Sequence, residues 1–168
     1  MADKFVFKGR LIKLSEKIIR LPNGYTAKFE VIEHLGAVLI IPFLAKDKVI
    51  LLRQFRPVIG KYIYELPAGT LKKNETSISC AKREIIEETG YSAVKFTRLG
   101  YIYPVPGYST EKIIIYKAED LIKQKINTDE DEIIQILIAD RVQVKTMFDK
   151  RQLVDAKTIS AFAFAGWL

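Results

Sequence analysis

Apolar and polar residues roughly alternate along Phe5–Leu14 and again along Tyr25–Glu33, with Leu21-Pro22-Asn23-Gly24 between the two stretches. A period of two is that of a half-buried strand, and Pro-Asn-Gly is strong turn chemistry, so the pattern predicts two antiparallel strands. A lone hairpin is marginal in water, and its apolar face needs cover that a partner subunit can supply. The pattern changes at Gly36. Gly36–Phe43 and Lys48–Arg53 are nearly continuous apolar runs on either side of Lys46-Asp47, which predicts core strands, and Tyr62–Leu66 predicts a further short extended segment. From Thr76 to Glu88 the period lengthens to that of a helix, with Ile78, Ala81, Ile85 and part of Ile86 on the apolar side. Asn74 or Thr76 caps its start, and Gly90 suits the left-handed position beyond its end. Leu99–Tyr103, Glu111–Lys117 and Ile133–Ile138 then read as strands, and Asp140–Asp149 and Asp155–Leu168 as amphipathic helices.

Composition limits what such a chain does. Its 168 residues, 49% of them apolar, suffice for one ordinary domain with a small appendage. The division drawn here is an N-terminal sheet and dimerisation region, 1–34, before a catalytic domain, 35–168. A formal charge of +7 favours anionic partners, but the basic residues are interspersed with acids and apolar residues, so a nucleic-acid module is disfavoured against phosphate-bearing metabolites. The longest apolar stretch, Gly36–Ala45, is too short to span a bilayer and contains Pro42, which points to a cytoplasmic protein without a membrane partner. Cys80 has no second cysteine to pair with and reads as a small packed residue, while the single histidine, His34, argues against a histidine-rich zinc centre. No G-x4-G-K-S/T phosphate loop and no G-x-G-x-x-G turn is present, which disfavours a kinase, an ATPase or a redox enzyme.

The chemistry concentrates in the helix. Glu84, Glu87 and Glu88 share one face at spacings of three and four. Three neighbouring anions destabilise a helix unless they are solvated or share a cation, and Mg²⁺ or Mn²⁺ prefers such oxygen ligands. Arg53 and Arg56 offer fixed guanidinium donors, either to phosphate oxygens or to surface ion pairs.

Gly69 to Tyr91 resembles the Nudix box, G-x5-E-x7-R-E-U-x-E-E-x-G-U with U a bulky apolar residue, and Tyr91 takes the place of the usual final aliphatic residue. The flanking Arg53-Gln54-Phe55-Arg56, Glu65-Leu66-Pro67-Ala68-Gly69 and Pro106-Gly107-Tyr108-Ser109-Thr110-Glu111 look like the ADP-ribose pyrophosphatase branch, in which a proline lies about fifteen residues beyond the box, as Pro106 does here. The resemblance implies an α+β fold, an α/β/α sandwich with a mixed sheet, preceded here by the N-terminal antiparallel hairpin and commonly dimerising through it. It implies Mg²⁺-dependent hydrolysis of ADP-ribose to AMP and ribose 5-phosphate, with Mn²⁺ as a substitute, or hydrolysis of a broader set of nucleoside diphosphate sugars. A nucleotide-sugar sensor without turnover is the nonenzymatic alternative.

By the same resemblance, Glu84, Glu87, Glu88 and the carbonyl of Ala68 hold metal, and the catalytic base lies in the loop before a late strand, at Glu132 or Glu130. Glu75 and Arg83 orient the ligands from behind, and Gly69 and Gly90 shape the two ends of the box. Arg53, Arg56, Glu65, Pro106, Gly107, Tyr108 and Glu111 are the candidates for contact with substrate.

Overall fold

The computed structural model describes residues 4–9, 12–124 and 133–168. Three antiparallel strands open the chain: β1 (Lys4–Lys8), β2 (Lys13–Arg20) and β3 (Thr26–Glu33), in the order β1-β2-β3. The first alternating stretch is therefore two strands rather than one. A register shift between Phe5 and Phe7 and a Gly9 N–H to Ile12 carbonyl bond interrupt it, two local features that an alternating pattern does not encode.

The larger sheet begins with β4 (Ala37–Ala45) and β5 (Lys48–Arg56), followed by a single 3₁₀ turn at Pro57–Ile59. It continues through β6 (Lys61–Glu65) and β7 (Ala68–Thr70), α1 (Ser77–Thr89), β8 (Tyr91–Ile102), β9 (Ile113–Lys123) and β10 (Ile134–Asp140), and α2 (Arg141–Asp149) and α3 (Ala156–Phe164) complete the fold. The strand order is β10-β5-β4-β9-β8, with β6 on β5 and β7 on β4. β4 and β9 run parallel and the other pairs antiparallel, so the sheet is mixed.

Helices cover both faces, because the pleat sends alternate β4 side chains to opposite sides. Val38 and Ile40 pack with Cys80, Ala81 and Ile85 of α1, whereas Leu39, Ile41 and Phe43 pack with Val144 of α2 and with Ala161, Phe162 and Trp167. Burying one such aliphatic side chain stabilises the fold by about 1.5–3 kcal/mol. The α/β/α sandwich expected from the sequence is what forms. α3 stops at Phe164 rather than running to Leu168, because Gly166 takes a left-handed φ of 68° and Trp167 folds back to stack on Phe162 at 5.6 Å.

β4 and β5 pair only over a short stretch, Phe43 with Val49 and Ala45 with Lys48, and then diverge. The chain from Lys61 to Thr70 spans this split, pairing first with β5 and then with β4, and the Pro67 carbonyl accepts from Ile40 N–H at 2.8 Å. The split places Glu65, Ala68 and Gly69 between the two central strands.

Candidate active site

α1 starts cleanly because Thr76 is extended and its hydroxyl accepts from Ser79 N–H, and it ends because Gly90 adopts a φ of 71°. The spacing of its carboxylates turns Glu84 and Glu88 toward β7, where they are only 9% and 6% exposed. The fit there is steric as well as polar. A Cβ on Gly69 would lie 1.8 Å from Oε1 of Glu84, so a side chain at that position and the present position of Glu84 exclude each other. Ala68 N–H donates to Oε2 of Glu88 at 2.9 Å, which ties the lower end of the carboxylate row to the same strand.

Arg83 organises the upper end. Its Nε donates to Oε1 of Glu75 at 3.0 Å, and its Nη1 donates to Oε1 of Glu84 at 2.5 Å and to Oε2 of Glu87 at 2.9 Å. One guanidinium thus offsets the repulsion among three carboxylates. Hydrogen bonding to Glu75, with the charges of Glu84 and Glu87 beside it, raises the Arg83 pKa further despite burial. Its effect on Glu75 is reciprocal: the Arg83 bond, followed by the Lys72 N–H bond, holds the Glu75 carboxyl down to about 2. Burial and the neighbouring Glu84 push the Cys80 thiol up to about 12, which makes it an unreactive packed group.

A second ionic cluster lies at the split in the sheet. Glu65, 1% exposed, accepts from Arg56 Nε at 2.6 Å and from Arg56 Nη2 at 3.1 Å, and its Oε1 also meets Lys157 Nζ. Lys157 in turn donates to Asp155 at 2.8 Å. Burial opposes the charge on Arg56, but the Glu65 bond and the charges of Glu65, Glu88 and Asp155 outweigh it and lift the Arg56 pKa above its ordinary value. The influence of Glu88 on Arg56 links the two clusters electrostatically. Arg53, three residues earlier on a regular strand, leaves the opposite face: it stacks on Tyr62 at 4.1 Å and donates to Gln135 at 2.9 Å.

The other sequence candidates sit elsewhere. Pro106, Gly107 and Tyr108 line a groove with Ile19, Phe29 and Val31 of the N-terminal sheet, where the Tyr108 carbonyl accepts from Ile32 N–H at 2.8 Å. Glu111 lies 3.8 Å from Nε2 of His34, whose Nδ1 accepts from Gly36 N–H. Glu130 and Glu132 lie outside the described residues; the described chain resumes at Ile133, whose carbonyl accepts from Phe55 N–H. Sequence reading missed Lys157, Asp155 and Thr158, the last a buried side chain whose hydroxyl accepts from Leu66 N–H at 2.9 Å. No spacing rule finds contacts 92 residues apart, although Asp155 as a helix-capping residue marked where α3 begins.

The donor set suits a hard divalent cation, since Glu84, Glu87 and Glu88 offer only carboxylate oxygens. Among the described residues, no three histidine, cysteine or acidic side chains, Glu84, Glu87 and Glu88 included, converge closely enough to hold a metal ion together. Mg²⁺ does not require three, because it commonly takes one or two protein carboxylates and completes its coordination with water and phosphate. The buried Glu84 and Glu88, both turned toward β7, fit that habit.

The chain resembles known proteins over almost its whole length. It is 34% identical to the ADP-ribose pyrophosphatase of Bacillus subtilis (strain 168), over 98% of this chain and 90% of that one. It is also 34% identical to the methanol dehydrogenase activator of Bacillus methanolicus, over 95% and 87%. Identity to the GDP-mannose pyrophosphatase of Citrobacter koseri is 32%, over 74% and 69%. The crystal structure of an ADP compounds hydrolase superposes with a TM-score of 0.83 at 24% identity, over 98% of this chain and 90% of that chain, which shows the shared fold. Among the described residues no helix is long and apolar enough to cross a membrane. Residues 33–162 match the NUDIX domain, and with the box helix and the sandwich around it this chain belongs to the Nudix family.

Proposed function

We propose that this chain hydrolyses nucleoside diphosphates linked to a sugar, and that it cleaves ADP-ribose to AMP and ribose 5-phosphate. The observation that carries the proposal is the juxtaposition of opposite charges at β7. Glu84 and Glu88 are held there by Gly69 and the Ala68 N–H, and Arg56 is clamped on Glu65, in the segment that leads directly into Ala68 and Gly69. A diphosphate with its counter-cation needs such a pair, carboxylates for the cation and a guanidinium for the phosphate oxygens.

In this reading Arg56 binds the diphosphate through the N–H groups that Glu65 leaves unused. Glu84, Glu87 and Glu88, with the Ala68 carbonyl, hold Mg²⁺ or Mn²⁺, which when bound supplies charge neutralisation and a more acidic water. Glu75 and Arg83 keep the three carboxylates in place, and Gly90 closes the helix that carries them. Glu132, with Glu130 as the alternative, takes the proton of the attacking water. Pro106, Gly107, Tyr108 and Glu111 bound the sugar or base end, near the N-terminal sheet. That sheet, residues 1–34 in the proposed division, dimerises through its exposed Phe5, Phe7 and Ile18.

The relative matched over 98% of this chain is an ADP-ribose pyrophosphatase, which favours ADP-ribose, and the GDP-mannose pyrophosphatase relative favours a wider range of nucleoside diphosphate sugars. The test is kcat/KM with ADP-ribose, ADP-glucose, GDP-mannose and NADH in Mg²⁺, with products identified. Comparable values for several sugars establish the broad range, and a strong preference for GDP-mannose would remove the adenine-centred reading. Binding without cleavage of any of them would leave a sensor.

A further inference from the structure

We infer that Lys157 is a positioning residue: through the buried carboxylate of Glu65 it fixes the plane of the Arg56 guanidinium and keeps one edge of it available to a phosphate anion. The inference rests on the proposed function, because it takes the ligand of Arg56 to be the diphosphate.

Arg56 meets Glu65 side-on, through Nε and Nη2. Of its five N–H donors, that arrangement engages two and leaves Nη1, on a side chain that is 40% exposed and makes no other hydrogen bond among the described residues. The guanidinium is therefore clamped along one edge and open along another. The clamp is only as well fixed as Glu65, and Glu65 is held by Lys157. Lys157 Nζ engages the same Oε1 that accepts from Arg56 Nη2, and Asp155, the N-cap of α3, holds Lys157 from the other side. Thr158, next in sequence, fixes the Leu66 N–H, so the first turn of α3 grips two successive residues of the segment that leads to Ala68 and Gly69.

Charge gives the arrangement its second role. A carboxylate buried with a single cation draws that cation strongly to itself, and a guanidinium so engaged has less attraction left for a second anion. With Lys157 sharing Glu65, the charges of Arg56, Lys157, Glu65 and Asp155 cancel, and an incoming diphosphate meets a guanidinium whose partner is already neutralised. Removing the Lys157 charge leaves Glu65 to Arg56 alone, which weakens ligand binding without touching the carboxylates of α1.

The test compares wild type, Lys157→Met, Lys157→Arg and Arg56→Met. Two readouts are used: ADP-ribose affinity by titration calorimetry in EDTA, which excludes metal-dependent turnover, and KM and kcat in Mg²⁺. Lys157→Met is expected to weaken binding and raise KM about tenfold while kcat changes about threefold or less, and Lys157→Arg is expected to restore most of the loss. In an Arg56→Met background, Lys157→Met should add less than about twofold, because both act on one contact. If Lys157→Met does not fold, Lys157→Gln, which keeps a donor for Glu65, takes its place. Unchanged affinity and KM in the folded variant, or a full additional loss in the Arg56→Met background, would overturn the inference. A wild type that binds but never cleaves sinks the enzymatic reading while the calorimetric comparison still decides the role of Lys157. No saturable binding to wild type in EDTA together with no cleavage in Mg²⁺ overturns both.

Discussion

The two sheets handle their apolar residues in opposite ways. In β4 every residue from Ala37 to Phe43 is buried, with a helix layer on each face. In the N-terminal sheet Ser15 alone is fully buried among the described residues, and Phe5 and Phe7 are more than half exposed. The first region holds itself together and can therefore carry buried charge, since Glu65 at the end of β6 and Glu84 and Glu88 on α1 have cations or N–H groups supplied by the same framework. The second carries its charges on the surface, as Lys17–Glu33 and Lys28–Glu16 pairs, and presents apolar side chains, Phe5, Phe7 and Ile18, that stay more than half exposed among the described residues. Buried polarity marks the place where chemistry is built, and exposed apolar surface the place where a partner is expected.

Substitutions should separate the regions sharply. The largest effect is expected from Glu88→Gln, which keeps an acceptor for the Ala68 N–H but removes a charge: cleavage should fall ~10³-fold with little change in melting temperature. A steady-state assay beside thermal unfolding checks both halves, and near-wild-type turnover would remove Glu88 from the proposed site. Next is Gly69→Ala, expected to displace Glu84 and to lower stability by about 2 kcal/mol as well as activity. Gly107→Ala, with nothing within 4 Å of the added Cβ, is its control, and chemical denaturation of the pair tests the contrast.

Much of the first region is legible in the sequence. The apolar runs give β4 and β5, and the helical period predicts the box helix over Thr76–Glu88 with Thr76 or Asn74 as cap, within one residue of what forms. The signals are local there: a capping hydroxyl, a helical period and a glycine in the left-handed region. The pattern predicts β8 only from Leu99, although the strand begins at Tyr91, because Ser92, Lys95, Thr97 and Arg98 leave its earlier part without clear alternation. The opposite faces taken by Arg53 and Arg56 follow from strand parity once the strand is known to continue to Arg56. The Glu65–Lys157 contact joins segments that only the folded chain brings together, and no local rule reveals it.

Smaller effects sharpen the comparison at the surface. Phe5→Ser with Phe7→Ser should shift a dimer toward monomer in sedimentation while lowering the melting temperature of the catalytic region little; a variant that stays dimeric would remove this sheet from the interface. The smallest effect expected is on acid stability. Glu75, at about 2 in the fold against an ordinary 4.5, is ionised more readily when folded, so its contribution is complete above 4.5 and is lost as pH falls toward 2. Glu75→Gln should flatten that part of the stability profile, and an unchanged slope between those values would show that the Arg83 contact is not maintained in solution.

Metal-dependent cleavage of the diphosphate can be watched by phosphorus NMR of ADP-ribose and GDP-mannose with the wild-type chain in Mg²⁺, and again after chelation. The diphosphate signals of ADP-ribose should give way to two monophosphates, AMP and ribose 5-phosphate, and chelation should stop the reaction. Cleavage that continues at full rate in the chelator, or intact diphosphates throughout with both compounds in Mg²⁺, would contradict metal-dependent hydrolysis.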